Sequence, residues 1–423
     1  MRTSRIAGFY NLPIEERLRI VKEFANLTDE EAEALRKGKL PIEVADHMIE
    51  NVIGLYSLPF AVATNFLING KDYLVPMVIE EPSVVAAASN AAKMARESGG
   101  FEADATESIM ISQIQVVKVP DIEEAKKRII AEKEKLIATA NEMDPLLTKL
   151  GGGARDIEVR TVETEAGPML ILHLLVDTLD AMGANTVNTM AEGLAPTVER
   201  LTGGKVYLRI ISNLADRRLA RAKAKFSKAA IGGEEVVEGV MWAYRFAKHD
   251  PYRAATHNKG IMNGIIAVAL ATGQDTRAIE AGAHSYAARS GRYTTLTEYW
   301  VDENGDLWGS IELPMAVGTV GGVVRAHPLA KIALKILGVE RAKELAMVMA
   351  SVGLAQNFAA LRALATEGIQ AGHMKLHARN IALSVGASPS EVDEVVERML
   401  RERKINVERA MQILEEMRSG KKS

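Results

Sequence analysis

The sequence predicts an α+β fold: a large, helix-rich α/β domain, a small ferredoxin-like domain inserted within it, and a helical segment at the C-terminal end. Three observations predict it. The chain of 423 residues exceeds what one ordinary core holds. Between residues 107 and 216 the hydrophobic rhythm runs strand, helix, strand, strand, helix, strand, which is the β-α-β-β-α-β signature. The flanking stretches are dominated by helical periodicity, so the small unit interrupts a larger one. The expected divisions are 1–106 with 217–370, then 107–216, then 371–423.

Element by element, Thr28 followed by Glu31 has the capping-box spacing that opens a short helix. Pro41 suits the first turn of the next helix, which Gly54 can end. Asn69-Gly70 joins two apolar runs, 60–68 and 73–79, as a tight hairpin. A small-residue helix follows over 82–95. In the insertion, 109–119 alternates as a strand, 122–140 is a charged amphipathic helix, and 156–164 and 168–176 are strands. A helix over 186–201 and a strand over 205–211 complete it. Beyond it come a helix over 234–247 and a Gly- and Ala-rich helical region to Gly291. A hairpin of 294–301 and 307–313 and further helices after Gly321-Gly322 follow. Charged amphipathic helices run from Ser388 onward.

Composition excludes several classes. Net charge is −3 with no basic block beyond Lys421-Lys422, which disfavours nucleic-acid or membrane-surface partners. The absence of cysteine removes disulfides, thiolate metal sites and cysteine nucleophiles together. No apolar run reaches the roughly 18–20 residues that span a bilayer, and none follows Met1–Arg5 as a secretory signal would require. The expectation is a cytoplasmic protein.

Five stretches carry chemistry. Asp180-Ala181-Met182-Gly183-Ala184-Asn185 follows a strand and opens a helix, where a small-residue turn lets backbone approach phosphate. It is not GxGxxG, so no Rossmann domain is implied, and an ordinary strand-to-helix turn has the same pattern. Between Pro251 and Gly260, Arg253, His257, Asn258 and Lys259 gather within seven positions, which suits an anion or carbonyl site or a solvated loop. Glu80-Glu81-Pro82-Ser83 closes an apolar strand, so a carboxylate there is either partly buried for proton transfer or a capping group. His373 and His377 stand four apart. No third ligand suggests a metal site, and either could be a general acid or a surface histidine. Asp275, before Thr276, reads as a helix cap.

Taken in order, Glu50-Asn51-Val52-Ile53-Gly54, the Glu81 segment, Asp180–Asn185, the Lys259 segment, Asp275 and Gly372-His373-Met374 resemble class II hydroxymethylglutaryl-CoA reductase over nearly the full length. The resemblance implies reduction of hydroxymethylglutaryl-CoA to mevalonate, and a homodimer with active sites shared between subunits. It also implies a large domain for CoA, a small one for the nicotinamide, and a C-terminal flap that closes over substrate. It gives Lys259 the thioester oxygen, Glu81 the proton relay, Asp275 the link between them and His373 the leaving thiolate. Arg253 is implied to hold the substrate carboxylate, with Ser83, Asn263 and Asn357 as polar supports. Asp180, Met182, Gly183 and Asn185 are implied to line the dinucleotide. Asp144 falls where a carboxylate accepts from a ribose 2′-OH and repels a 2′-phosphate, which implies NADH over NADPH. Two other classes compete: a CoA-dependent lyase or acyltransferase using Lys259, and a non-catalytic CoA- or nucleotide-binding dimer.

Overall fold

A computed structural model describes residues 3–38, 40–366 and 369–420, without the side chains of 369–376 and 420. The fold is mixed α/β, built on two sheets. Ten strands occur among the described residues: β1 (Phe60–Ile68), β2 (Lys71–Val78), β3 (Phe101–Ala105), β4 (Ile109–Val117), β5 (Gly153–Val162), β6 (Met169–Asp177), β7 (Lys205–Ser212), β8 (Leu219–Phe226), β9 (Thr297–Val301) and β10 (Leu307–Pro314).

The larger sheet has the order β2-β1-β3-β8-β10-β9. Its β1–β2 hairpin turns at Asn69 and Gly70, both at positive φ, the geometry a two-residue hairpin loop needs. Strand β8 alternates strictly. Ala220, Ala222, Ala224 and Phe226 are buried, while Arg221, Lys223 and Lys225 pair outward with Glu312, Glu102 and Asp306. That regular two-residue period is what a half-covered strand requires.

Helices Pro251–Ala271 and Ala342–Ala365 pack together beneath this sheet. They approach closely because glycines face the contact. A Cβ on Gly264 would meet Val352 Cγ1 at 3.0 Å, and one on Gly353 would meet Ile265 Cδ1 at 2.8 Å. By length and composition Ala342–Ala365 is apolar enough to cross a membrane, yet 78% of its apolar window is buried inside the protein.

The second sheet has the order β5-β6-β4-β7 with every neighbour antiparallel, and helices Ile122–Ala131 and Ala184–Thr202 lie on one face over a core of its own. This is the split β-α-β arrangement expected from the sequence. The helix expected over 122–140 is divided at Glu132 into Ile122–Ala131 and Lys133–Glu142. Helices Ile369–Ser384, Val392–Glu402 and Val407–Gly420 gather around a separate apolar cluster that includes Ile381, Val395, Met399 and Ile413.

At the N-terminal end, Thr28 and Glu31 form both halves of the capping box. The following helix, Ile42–Met48, ends earlier than Gly54, because Ile49 turns extended.

Candidate active site

The polar stretch from Pro251 to Gly260 is not a loop; it is the first turns of helix Pro251–Ala271. Pro251 sits at the first helical position and Asp250 Oδ1 accepts from Arg253 N at 2.7 Å, so a capped helix starts where the sequence looks most polar. Helical spacing then sorts the side chains. Lys259 and Asn263, four apart, project from one face. His257 lies on the apolar face, with Ala254, Ile261 and Ile265.

Lys259 and Asn263 meet Glu81, at the end of the β1–β2 hairpin. Lys259 Nζ donates to Glu81 Oε2 at 2.8 Å, and Asn263 Nδ2 donates to Oε1 at 3.4 Å. Two residues on, Ser83 is held at φ +75, a strained conformation for serine, and its buried Oγ has no partner among the described residues. An ammonium, a carboxylate and an amide thus meet, with the Ser83 hydroxyl two residues along the chain from the carboxylate. The Lys259 side chain is 58% exposed and that of Glu81 33%, so the cation is not buried within one chain. At that exposure water screens the pair, and only a covering surface would strengthen it.

Asp275 does not reach this pair. Its Oδ1 caps helix Thr276–Ala287 by accepting from Ala278 N at 3.0 Å, and Arg277 stands 3.8 Å away. Lys259 is the ninth of the 21 residues of helix Pro251–Ala271, so roughly 18 Å of helix separates it from Ala271, four residues before Asp275. Arg253, six residues before Lys259, points about 120° around the helix from it, toward His257. Burial holds the Arg253 guanidinium below its ordinary pKa.

Asn357 is held among side chains of the interior. It is 1% exposed, and its Oδ1 accepts from Thr297 Oγ1 at 3.0 Å and Tyr299 OH at 2.8 Å. Thr297 Oγ1 also lies 2.6 Å from His257 Nε2, so Asn357 belongs to a buried network behind the helix. Burial pulls His257 down to about 3, keeping it neutral. The side chain of His373 lies outside the described residues; His377, on the same helix, is exposed.

On the second sheet, Gly183 adopts φ +95 ahead of the 19-residue helix Ala184–Thr202, whose N-terminus has no side-chain cap. A Cβ at Gly183 would meet Thr178 Cγ2 at 2.2 Å. The bare turn and free N–H groups fit the phosphates of a dinucleotide. Asn185 is exposed at that helix start. Asp144 sits close by, its Oδ2 accepting from Thr186 Oγ1 at 3.1 Å and its Oδ1 from Leu147 N at 3.0 Å. Asp180 Oδ1 accepts from Ala342 N at 2.8 Å, which ties the turn to the start of helix Ala342–Ala365. Behind the turn lies Arg218, 4% exposed, which sequence reading did not single out. Burial brings its guanidinium down to about 10. It follows Asp216-Arg217 in a polar run, where nothing signals an interior position.

An ammonium paired with a carboxylate, together with an anion-ready helix start on a ferredoxin-like sheet, is what a dinucleotide-dependent enzyme class requires. Comparison with known proteins gives the particular family. The model of the family described as hydroxymethylglutaryl-coenzyme A reductase matches residues 13–378. The 3-hydroxy-3-methylglutaryl-coenzyme A reductase of Archaeoglobus fulgidus is 64% identical over 417 residues, 99% of this chain and 95% of that one. A probable reductase of the same name from Borreliella burgdorferi is 38% identical over 88% of this chain and 87% of its own. Among solved structures, the class II reductase of Streptococcus pneumoniae bound to NADPH in open conformations superposes with TM-score 0.82 at 44% identity, covering 96% of this chain and 100% of that one. A second structure from that organism gives TM-score 0.84 at 43% identity, covering 97% and 99%. The chain belongs to the hydroxymethylglutaryl-CoA reductase family, on its class II branch. Its activity is the family's, the four-electron reduction of hydroxymethylglutaryl-CoA to mevalonate and CoA with two NAD(P)H.

Proposed function

We propose that Glu81, Lys259, Asp275 and His373 carry both reductions, that two copies of the chain share each site, and that NADH is used in preference to NADPH. The observation that carries this reading is the convergence of Lys259 and Asn263 on the two oxygens of Glu81. The nicotinamide supplies a hydride to the thioester carbon and later to the aldehyde carbon. Negative charge then gathers twice on the same substrate oxygen, and Lys259 stabilises it each time. Glu81 delivers the proton that oxygen takes, with Asn263 fixing the carboxyl group. His373 gives a proton to the departing CoA thiolate and so prevents its return. That assignment rests on the Gly372-His373-Met374 resemblance. Arg253 pairs with the free carboxylate of the substrate, and the unused hydroxyl of Ser83 binds the same group.

The proposed division of labour follows the expected segments: residues 1–106 and 217–370 for substrate, 107–216 for dinucleotide, 371–423 as flap. A cavity of about 1000 Å³ runs along helix Val84–Arg96 from beyond Ser83, and we assign it to CoA. Ile6 and Phe9 give it an apolar wall for the pantetheine arm, while Arg5, Arg17, Arg36 and Lys93 supply cations for the phosphates. The buried Nε of Arg17 lacks a partner among the described residues, which favours an anionic occupant.

Sharing between subunits is supported by the roughly 18 Å of helix between Lys259 and Ala271, beyond which Asp275 lies. It is also supported by the exposed Ile49, Ile53, Leu55 and Tyr56 around the Glu50–Gly54 signature. Burial of Ala342–Ala365 in the core makes it an interior helix rather than a membrane span. For the cofactor, the Asp144 carboxylate beside Thr186 would repel a 2′-phosphate and accept from a 2′-OH. The test is NADH oxidation on adding hydroxymethylglutaryl-CoA, repeated with NADPH. A higher kcat/KM with NADH, narrowed by Asp144→Ser, is expected. An equal or better value with NADPH refutes the preference.

A further inference from the structure

We propose that Arg218 is a positioning residue which ties the Asp180–Asn185 turn to the Asp275 segment of its own chain, so that both are presented to substrate as one rigid body. The proposal rests on the reading that this turn receives the dinucleotide.

The guanidinium spans two walls. On one side its Nη1 donates to Thr178 Oγ1 at 3.0 Å, Ala181 O at 3.1 Å and Met182 O at 3.2 Å. On the other its Nη2 donates to Val317 O at 2.5 Å. The next residue, Gly318, is clamped on both backbone groups by Gln274: its N donates to Oε1 at 2.8 Å and its O accepts from Nε2 at 2.9 Å. Gln274 immediately precedes Asp275. The unbroken path is therefore Asp275, Gln274, the Val317–Gly318 peptide, Arg218, and the Ala181–Met182 carbonyls. Gly318 must be glycine for the walls to meet, since a Cβ there would lie 2.7 Å from Met182 N. A bond from Thr319 N to Asp180 O at 2.9 Å closes the same seam.

The acceptors explain why arginine is used. They are three carbonyls and a hydroxyl in divergent directions, which a planar fork of five donors can reach together and a lysine ammonium cannot. Among the described residues no carboxylate touches the guanidinium, so its charge is only partly offset, by Asp177 and Asp180 through space. That residual charge lies behind a turn whose open side carries the helix N–H groups, and it favours an anion there.

The experiment compares Arg218→Lys, Gln274→Ala, the double variant and Gly183→Ala with the parent. Three readouts are taken: the Kd for NADH by fluorescence titration, the KM for hydroxymethylglutaryl-CoA, and amide hydrogen exchange over 178–182 in cofactor-free protein. Arg218→Lys keeps the charge and loses the span. It should weaken NADH by about tenfold or more, as loss of charge-assisted bonds does. Substrate KM should stay unchanged, exchange should accelerate only in the 178–182 turn, and the double variant should be less than additive. Unchanged NADH affinity, or exchange that rises equally throughout the molecule, overturns the proposal. Gly183→Ala deforms the turn directly. If it leaves NADH binding intact, the turn is not the dinucleotide site and the underlying reading falls. If it weakens binding while Arg218→Lys does not, only the bridge falls.

Discussion

Co-expression of Lys259→Ala and Asp275→Ala chains should restore activity that neither variant has alone. Within one chain Lys259 lies near the middle of helix Pro251–Ala271, and Asp275 lies four residues beyond its C-terminal end. Twelve residues of helix separate Lys259 from Ala271, roughly 18 Å at 1.5 Å per residue, and a lysine side chain spans only about a third of that. If Asp275 acts on the Lys259 ammonium, it must come from another copy. In a two-fold dimer each site then takes Lys259 from one chain and Asp275 from the other. A mixed dimer concentrates both lesions in one site and leaves the second intact. Carrying different affinity tags on the two chains isolates mixed dimers. Their rate of NAD(P)H oxidation with hydroxymethylglutaryl-CoA should be about half that of the parent. Each homodimeric variant should fall by about two to three orders of magnitude. A mixed dimer no more active than its parents would refute the shared arrangement, because both residues would then have to act within one chain.

Two further outcomes follow from buried groups. His257 has its pKa lowered by burial from 6.5 to about 3. The unfolded chain therefore binds the proton first as pH falls. Stability is full above about 6.5 and declines through the window toward 3, at about 1.4 kcal/mol per pH unit. Urea unfolding at pH 7 and pH 5 should show a smaller acid loss in His257→Gln than in the parent; an equal loss would place the titrating group elsewhere. Asn357→Leu removes the acceptor for two buried hydroxyls, on Thr297 and Tyr299, and should cost about 2–4 kcal/mol of unfolding free energy. The KM for hydroxymethylglutaryl-CoA should stay within about threefold; a large KM change at unaltered stability would return Asn357 to the substrate.

What the sequence made legible was local. Thr28 and Glu31 needed only their spacing to show the capping box, and Asn69-Gly70 only its dipeptide to show the hairpin. The inserted sheet was readable because β4 largely alternates apolar and polar residues and β6 is a nearly continuous run of branched apolar ones. Strand β8 was missed because its buried face is alanine and its outer face lysine and arginine, a pattern that reads as polar chain until an apolar helix lies beneath it. Strand β3, five residues of similar character, was missed for the same reason. At the site, Lys259 and Glu81 were legible as residue types and meet as expected. Within one chain Asp275 does not link them, and this depended on the conformation of 251–260. A loop could have folded Lys259 back toward Asp275, whereas a straight helix holds them apart. Arg218 was illegible because its burial arises from three segments distant in sequence.

The most direct measurement concerns the ammonium itself. Lys259→Ala is assayed on two substrates, hydroxymethylglutaryl-CoA and added mevaldehyde, with NADH binding checked by titration. Because one cation serves the oxygen left by each hydride, both reductions should fall by about 10²–10³ in kcat while NADH still binds. Mevaldehyde reduced at the parent rate would contradict a common oxyanion site and confine Lys259 to the thioester step.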